Sequence, residues 1–286
     1  MAPFRGTSHR METYSSNGAN NSFGFSHLAT CFDSAAESRQ AIDTALTLVK
    51  RSSIPLEVIT VNSPGVSEMR DHDELRAAVI SPAIQAQTVV LHGNDVAATI
   101  AAHLDTLPSP LLCMASRGRG ALGAAALGSV SERILRITHH PVLLVGPHAR
   151  AITSLSHTLL VCLDGSDASA HILPAAHAWA STFGNDVLVL HDLGDSDDRH
   201  TRVAHAQVDH AVTWFRERSI AASGEFAYGA SPEETIAETA RRFGISAVAM
   251  TTRARTPLRR LEFGSVAMHV LREASRSVLI VNPNAS

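Results

Sequence analysis

Short apolar runs alternate along this chain with longer stretches whose apolar positions recur every three to four residues. Strand-length runs lie near residues 27–32, 56–61, 87–91, 111–115 and 142–145. Between them, Ala41, Ile42, Ala45, Leu46, Leu48 and Val49 mark one amphipathic helix, and Val96, Ile100 and Leu104 mark another beginning after Asp95. Further on, Ser231 is placed to cap a helix that has Pro232 at its first position, Glu234 three residues after the cap and Gly244 as its stop. Strands separated by helices predict repeated βα units around a parallel sheet, hence a doubly wound α/β architecture. Ligands of such sheets bind beyond the carboxyl ends of the strands where strand order reverses, which directs attention to the loops after the first and fourth strands.

The pattern is written twice. LATCFDSAAES at 28–38 matches LLVCLDGSDAS at 159–169, setting Cys31 over Cys162, Asp33 over Asp164 and Ser38 over Ser169. Beyond this the alignment places Gly93 over Gly229, Ile100 over Ile236, Met114 over Met250, Gly128-Ser129-Val130 over Gly264-Ser265-Val266, and VLLVGP over VLIVNP. A fixed offset between similar segments signals repeated architecture. Two copies of one domain, about 26–147 and 157–283, follow, joined by a short link and preceded by residues 1–25, which read as a disordered tail.

Composition narrows the function. The 286 residues, 45% hydrophobic and 18% charged, suffice for two ordinary cores. Twenty-four basic against 27 acidic residues leave a formal net charge of -3, which lacks the positive field of a non-specific nucleic-acid binder. Lys50 is the sole lysine and has no glycine loop before it, which excludes a Walker-type NTPase. No run approaches the roughly 18 apolar residues that span a bilayer, and the first 25 residues hold no apolar signal segment, so a cytoplasmic protein is expected. The cysteines, Cys31, Cys113 and Cys162, stand singly inside apolar runs without CxxC spacing and read as buried thiols in a reducing compartment.

After the fourth strand the first copy runs Ser116-Arg117-Gly118-Arg119-Gly120, then reaches Gly123 and Gly128-Ser129-Val130-Ser131-Glu132. Glycines without a Cβ let main-chain N–H groups approach an anion, and the start of a helix adds its dipole. Ser129 and Glu132 have capping-box spacing, with Val130, Ile134 and Leu135 forming the apolar face of the helix that follows. Arg117 and Arg119 either steady phosphates or are solvated. Glycines before a helix also serve tight turns and close packing, so the loop alone does not decide.

These residues resemble the universal stress protein family, and the resemblance covers both copies. It implies a five-stranded parallel sheet ordered 3-2-1-4-5 in each, a first strand ending in Asp, and a Gly-x2-Gly-x9-Gly-Ser/Thr loop that holds ATP. Gly118 and, nine residues on, Gly128-Ser129 match that loop, while Ala115 stands where its first Gly is expected. By the same resemblance Asp33 lies beside the adenosine moiety and Val61 offers main chain to adenine; independently of it, Mg²⁺ could accompany the phosphates. In the second copy Asp164 and Gly264-Ser265 survive, but Thr251 and Ala254 replace the earlier glycines, Pro257 enters the loop, Met268 replaces the capping-box glutamate and Asp192 stands where the first copy has Val61. Losing two amide bonds to phosphate at about 1.5–3 kcal/mol each weakens such a site by two to four powers of ten. Arg253, Arg255, Arg259 and Arg260 crowd the same loop and could offset part of that loss. Domain one is therefore expected to hold ATP, and domain two to bind weakly or not at all.

The resemblance also implies that the copies pair through their fifth strands, VLLV with VLIV, each an apolar edge that should not stay open. Two chains could associate further as a homodimer. The 16 histidines suggest no metal set: His200, His205 and His210 do not share a helix face, and His139-His140 before Pro141 read as helix-end residues. Trp179 and Trp214 read as core or partner-facing packing. Ser116 and Ser129 lack the turn of a nucleophile elbow, no base or carboxylate pair accompanies the loop, and no Ser-Gly-Gly-x-Asp-Ser pyrophosphate loop follows either first strand. The expected function is a nucleotide-dependent stress regulator or binding module, with at most slow ATP hydrolysis. The alternative is a nucleotide-free scaffold acting through protein contacts.

Overall fold

The computed structural model describes residues 24–62, 86–116, 127–146, 149, 157–194, 198–228, 231–245, 247–252, 265–273 and 276–283. The first copy forms β1 (His27–Cys31), α1 (Ala36–Ser52), β2 (Leu56–Asn62), β3 (Ala86–His92), α2 (Val96–Leu104), β4 (Pro110–Ala115), α3 (Ser129–Ile137) and β5 (Val142–Val145). The second forms β6 (Thr158–Leu163), α4 (Asp167–Ala170), α5 (Leu173–Phe183), β7 (Asp186–Asp192), α6 (Asp198–Arg216), β8 (Ala222–Ala227), α7 (Pro232–Arg242), β9 (Ala247–Thr251), α8 (Ser265–Glu273) and β10 (Ser277–Val281). The cap signals act as read: Asp95 accepts from the Ala98 amide at 3.2 Å, Ser231 Oγ accepts from the Glu234 amide at 3.3 Å, and Gly244 adopts φ +61°. One long helix of the first copy, α1, becomes two in the second, where Pro174 sits in the first turn of α5 and cannot continue a helix from before.

The strands join one ten-stranded sheet in the order β3-β2-β1-β4-β5-β10-β9-β6-β7-β8, which is 3-2-1-4-5 in the first copy and, read from the opposite edge, the same order in the second. Pairing is parallel within each copy, and the edges meet antiparallel, with Leu143 opposite Leu279. The expected pairing of fifth strands is thus the seam of the molecule. Both faces of this sheet are covered, and one continuous core runs across the copies on the side of α1 and α5. Trp179 is 1% exposed within it. The amino-terminal stretch read as tail ends earlier than expected: the Phe25 amide donates to Thr182 Oγ1 at 2.7 Å and its ring packs near Phe183. Residues 1–23 of that reading lie outside the described residues.

The residue after each last strand meets the other copy's last helix, and the two copies solve this contact differently. Asn282 donates from Nδ2 to the Leu135 and Arg136 carbonyls at 2.9 and 3.2 Å, satisfying groups at the carboxyl end of α3. Its counterpart is Gly146, where a Cβ would lie 2.3 Å from the Leu271 carbonyl oxygen of α8. Glycine is required there by close approach, and asparagine is favoured across the seam by the carbonyls it reaches. Asn282→Ala is expected to cost about 1–3 kcal/mol in urea unfolding, because it strands buried carbonyls.

Candidate functional site

The loops after β1 and β4 open at the carboxyl ends of the strands on either side of the reversal in strand order. After β1 the chain turns sharply through Ser34, which adopts φ +63°, and Asp33 Oδ1 accepts the Ala35 amide at 3.0 Å. The second copy makes the same turn with Gly165 at φ +82°, and Asp164 Oδ1 accepts the Ser166 amide at 3.1 Å. A left-handed residue after the aspartate is therefore a requirement of both turns. Glycine meets it freely and Ser34 meets it at some conformational cost. In each copy the turn holds the carboxylate at the top of the sheet.

After β4, Ala115 is buried and its carbonyl accepts Ser131 Oγ at 3.0 Å. The Ser116 carbonyl accepts the Gly128 amide at 2.8 Å, so the loop leaves and returns at one point. This corrects the expectation that the Gly128 amide faces an incoming anion: that N–H is spent on closing the loop. It also shifts the cap by one residue. Gly128, at φ -62° and ψ 143°, is the N-cap, Ser129 is the first helical residue, and among the described residues no side chain caps the helix. The capping box read at Ser129 and Glu132 does not form, because Glu132 pairs instead with Arg136 at 2.7 Å one turn on. The opening amides of α3, beginning with Ser129 and Val130, have no intrahelical acceptor, which is the property an anion exploits. The nearby guanidinium of Arg133 is paired with Asp95, tying α3 to the start of α2.

Val61 lies near the end of β2, half-buried and paired with Leu91 of β3. Asp33, Val61, Ala115, Gly128, Ser129 and Val130 thus line the top of one half-sheet. Gly118, Arg117 and Arg119 lie outside the described residues, as do Gly264, Ala254, Pro257 and the four arginines of the second loop. Ser265 begins α8.

The second copy holds a cleft of ≈ 250 Å³ at the equivalent place, bounded by Cys162, Asp164, Asp192, Pro232, Met250 and Val266 among others. Its counterparts in the first copy are Cys31, Asp33, Val61, Val96, Met114 and Val130, so the exchange of Val61 for Asp192 adds a second carboxylate to the wall. Two negative charges in one cleft disfavour a polyphosphate. The sequence reading also missed Gln207 of α6. Its Oε1 accepts the Gly165 amide at 2.9 Å and its Nε2 donates to the Ser166 carbonyl at 2.8 Å, so a neighbouring side chain already occupies that turn. No local pattern marks it, because Gln207 lies 42 residues from its partner.

Cys113 is buried as read, whereas Cys31 and Cys162 are only half-buried because the sheet opens at their level. Burial, helped by the Asp33 carboxylate, pushes the Cys31 thiol up to about 12, and burial raises Cys113 and Cys162 too. All three stay protonated near neutrality and are poor nucleophiles. Burial also lowers the basicity of His191 beneath the second cleft, against the pull of Asp164 and Asp192.

Among known proteins, the model described as the universal stress protein family matches residues 24–146 and 156–282. Universal stress protein Rv1996 of Mycobacterium tuberculosis is 29% identical over 153 residues, 52% of this chain and 47% of its own length. The chain spans about half the length of the curated relatives it matches. Among solved structures, a universal stress protein from Archaeoglobus fulgidus superposes with TM-score 0.67 at 18% identity, over 90% of this chain and 98% of its own. A functionally unknown protein, PA1789 of Pseudomonas aeruginosa, gives TM-score 0.60 at 16% identity over 92% of this chain and 94% of its own, a likeness of fold.

Proposed function

The chain belongs to the universal stress protein family, and from that premise we propose that its first copy binds ATP and that occupancy biases a conformation or a partner interaction. The observation that carries this reading is the start of α3, uncapped among the described residues, whose opening amides lie at the switch point with Asp33 on the neighbouring strand's turn. A triphosphate placed there meets oriented N–H groups and the positive end of a helix dipole. The adenosine then lies toward Asp33 and Val61, with any Mg²⁺ carried by the phosphates themselves. A ligand that binds one conformation more tightly than another shifts the population between them, which is how a binding module can regulate without chemistry.

The protein acts on this reading as a binder, with at most slow turnover, in the cytoplasm. Hydrolysis would need a positioned water and a base. Near the first loop Asp95 holds Arg133, Glu132 holds Arg136, and Asp33 accepts the Ala35 amide. The scaffold alternative draws on one observation, the Gly128 amide already bonded to Ser116.

Calorimetry and native mass spectrometry with ATP on the purified chain distinguish these readings. One tight equivalent is expected, with any second binding event at least 100-fold weaker, because Asp192 and the altered loop weaken the second cleft. Absence of any adenine-nucleotide binding establishes the scaffold. Turnover of labelled ATP well above background, abolished by one side-chain change, establishes an enzyme instead. Two equal sites would refute the asymmetry.

A further inference from the structure

At the end of the sheet opposite the ATP site, we propose that Asp105, His139 and His140 form a binding site for one divalent transition-metal ion of the Zn²⁺ class. The site is assembled from two places in the chain. Asp105 ends α2, and the two histidines occupy the turn between α3 and β5. One potential ligand atom from each lies within 4.8 Å of the others. Adjacent residues in extended chain point apart, but here the imidazole centroids are only 4.0 Å from one another. Thr138 explains this: it leaves the helix at φ -95° and ψ 139°, and its Oγ1 accepts the His140 amide at 3.2 Å, bending the chain before Pro141.

Tetrahedral Zn²⁺ with bonds of about 2.0–2.2 Å separates its ligand atoms by roughly 3.3–3.6 Å. His140 Nε2 and Asp105 Oδ1 are 2.9 Å apart and all three ligand atoms lie within 4.8 Å of one another, a range that brackets this spacing. Two imidazoles and one carboxylate suit a borderline ion and leave a position for water, whereas Mg²⁺ and Ca²⁺ prefer all-oxygen sets. Metal ligation requires neutral imidazole. Asp105 and His139 are exposed, which gives the ion an entry path. Of the histidine pair read from sequence as helix-end residues, His140 reaches Asp105 at the end of α2. A bound ion would tie α2 to the turn before β5.

The second copy supplies the stoichiometry. The residues matching Asp105, His139 and His140 are Arg241, Ser275 and Arg276, none of which suits a cation, so one ion per chain is expected.

The test titrates the full chain with ZnCl₂ by calorimetry and with Co²⁺ by visible absorption. The wild type should bind one equivalent, and Co²⁺ should give the intense bands of low-coordinate imidazole ligation. His139→Ala, His140→Ala and Asp105→Asn should each weaken Zn²⁺ at least tenfold and remove those bands, leaving ATP binding unchanged. His139→Ala and Asp105→Asn alter exposed side chains, so the result stands even if His140→Ala fails to fold. Unchanged Zn²⁺ stoichiometry and affinity in those two variants, or no micromolar binding by the wild type, overturns the proposal.

Discussion

Gly128→Asp is expected to reduce ATP affinity at least 100-fold while leaving the protein as stable as before, or slightly more so. The backbone of Gly128 lies in the extended region open to every residue, so a side chain there brings no conformational strain. Aspartate is also a preferred N-cap, and its carboxylate can accept the second or third amide of α3, adding a few tenths of a kcal/mol or more relative to glycine. The feature that helps the helix harms the ligand. The amides offered to phosphate become occupied, at about 1.5–3 kcal/mol each, and a fixed negative charge meets the polyanion. Gly128→Asn separates the two contributions, since it caps without a charge and should lose less affinity. Thermal melting and ATP calorimetry on the same samples provide the measurement. Wild-type affinity in Gly128→Asp would show that phosphate does not sit at this helix mouth.

Leu143→Ala in the first copy should lower the urea midpoint reported by tryptophans of the second. Both tryptophans, Trp179 and Trp214, belong to the second copy, so their fluorescence is blind to the first unless the two unfold together. Leu143 and Leu279 face one another across the antiparallel seam, and neither is exposed at all. Truncating either removes about 2–5 kcal/mol, through lost burial and the cavity left behind. The double variant should cost less than the sum of the singles by about 0.5–3 kcal/mol, because the two side chains share one space. A first-copy substitution that leaves the tryptophan transition in place would mean that the copies are energetically separate despite their common sheet.

Some of this was legible along the chain because it depends on neighbours. Apolar alternation placed the strands of the first copy to within a residue or two, and Asp95, Ser231 and Gly244 act as the helix punctuation their chemistry dictates. The repeat was legible for the same reason: two segments under one set of packing demands kept one pattern. The cap at α3 was misread by a single residue. Ser129 and Glu132 have the spacing of a capping box, but Arg136, one turn away, competes for the glutamate, and the loop closure at Ser116 fixes Gly128 as the cap.

By itself the sequence determined the repeated βα architecture, the family resemblance and the residues at the strand ends, since periodicity, turn chemistry and motif spacing are local properties. Tertiary structure alone decided which amide at the helix mouth was already spent, that Gln207 fills the second turn, and that Asp105 meets His140. It likewise decided that Gly146 and Asn282 answer the same contact in opposite ways. These depend on groups far apart in the chain being brought within hydrogen-bonding or van der Waals distance, and no pattern of neighbouring residues encodes that distance.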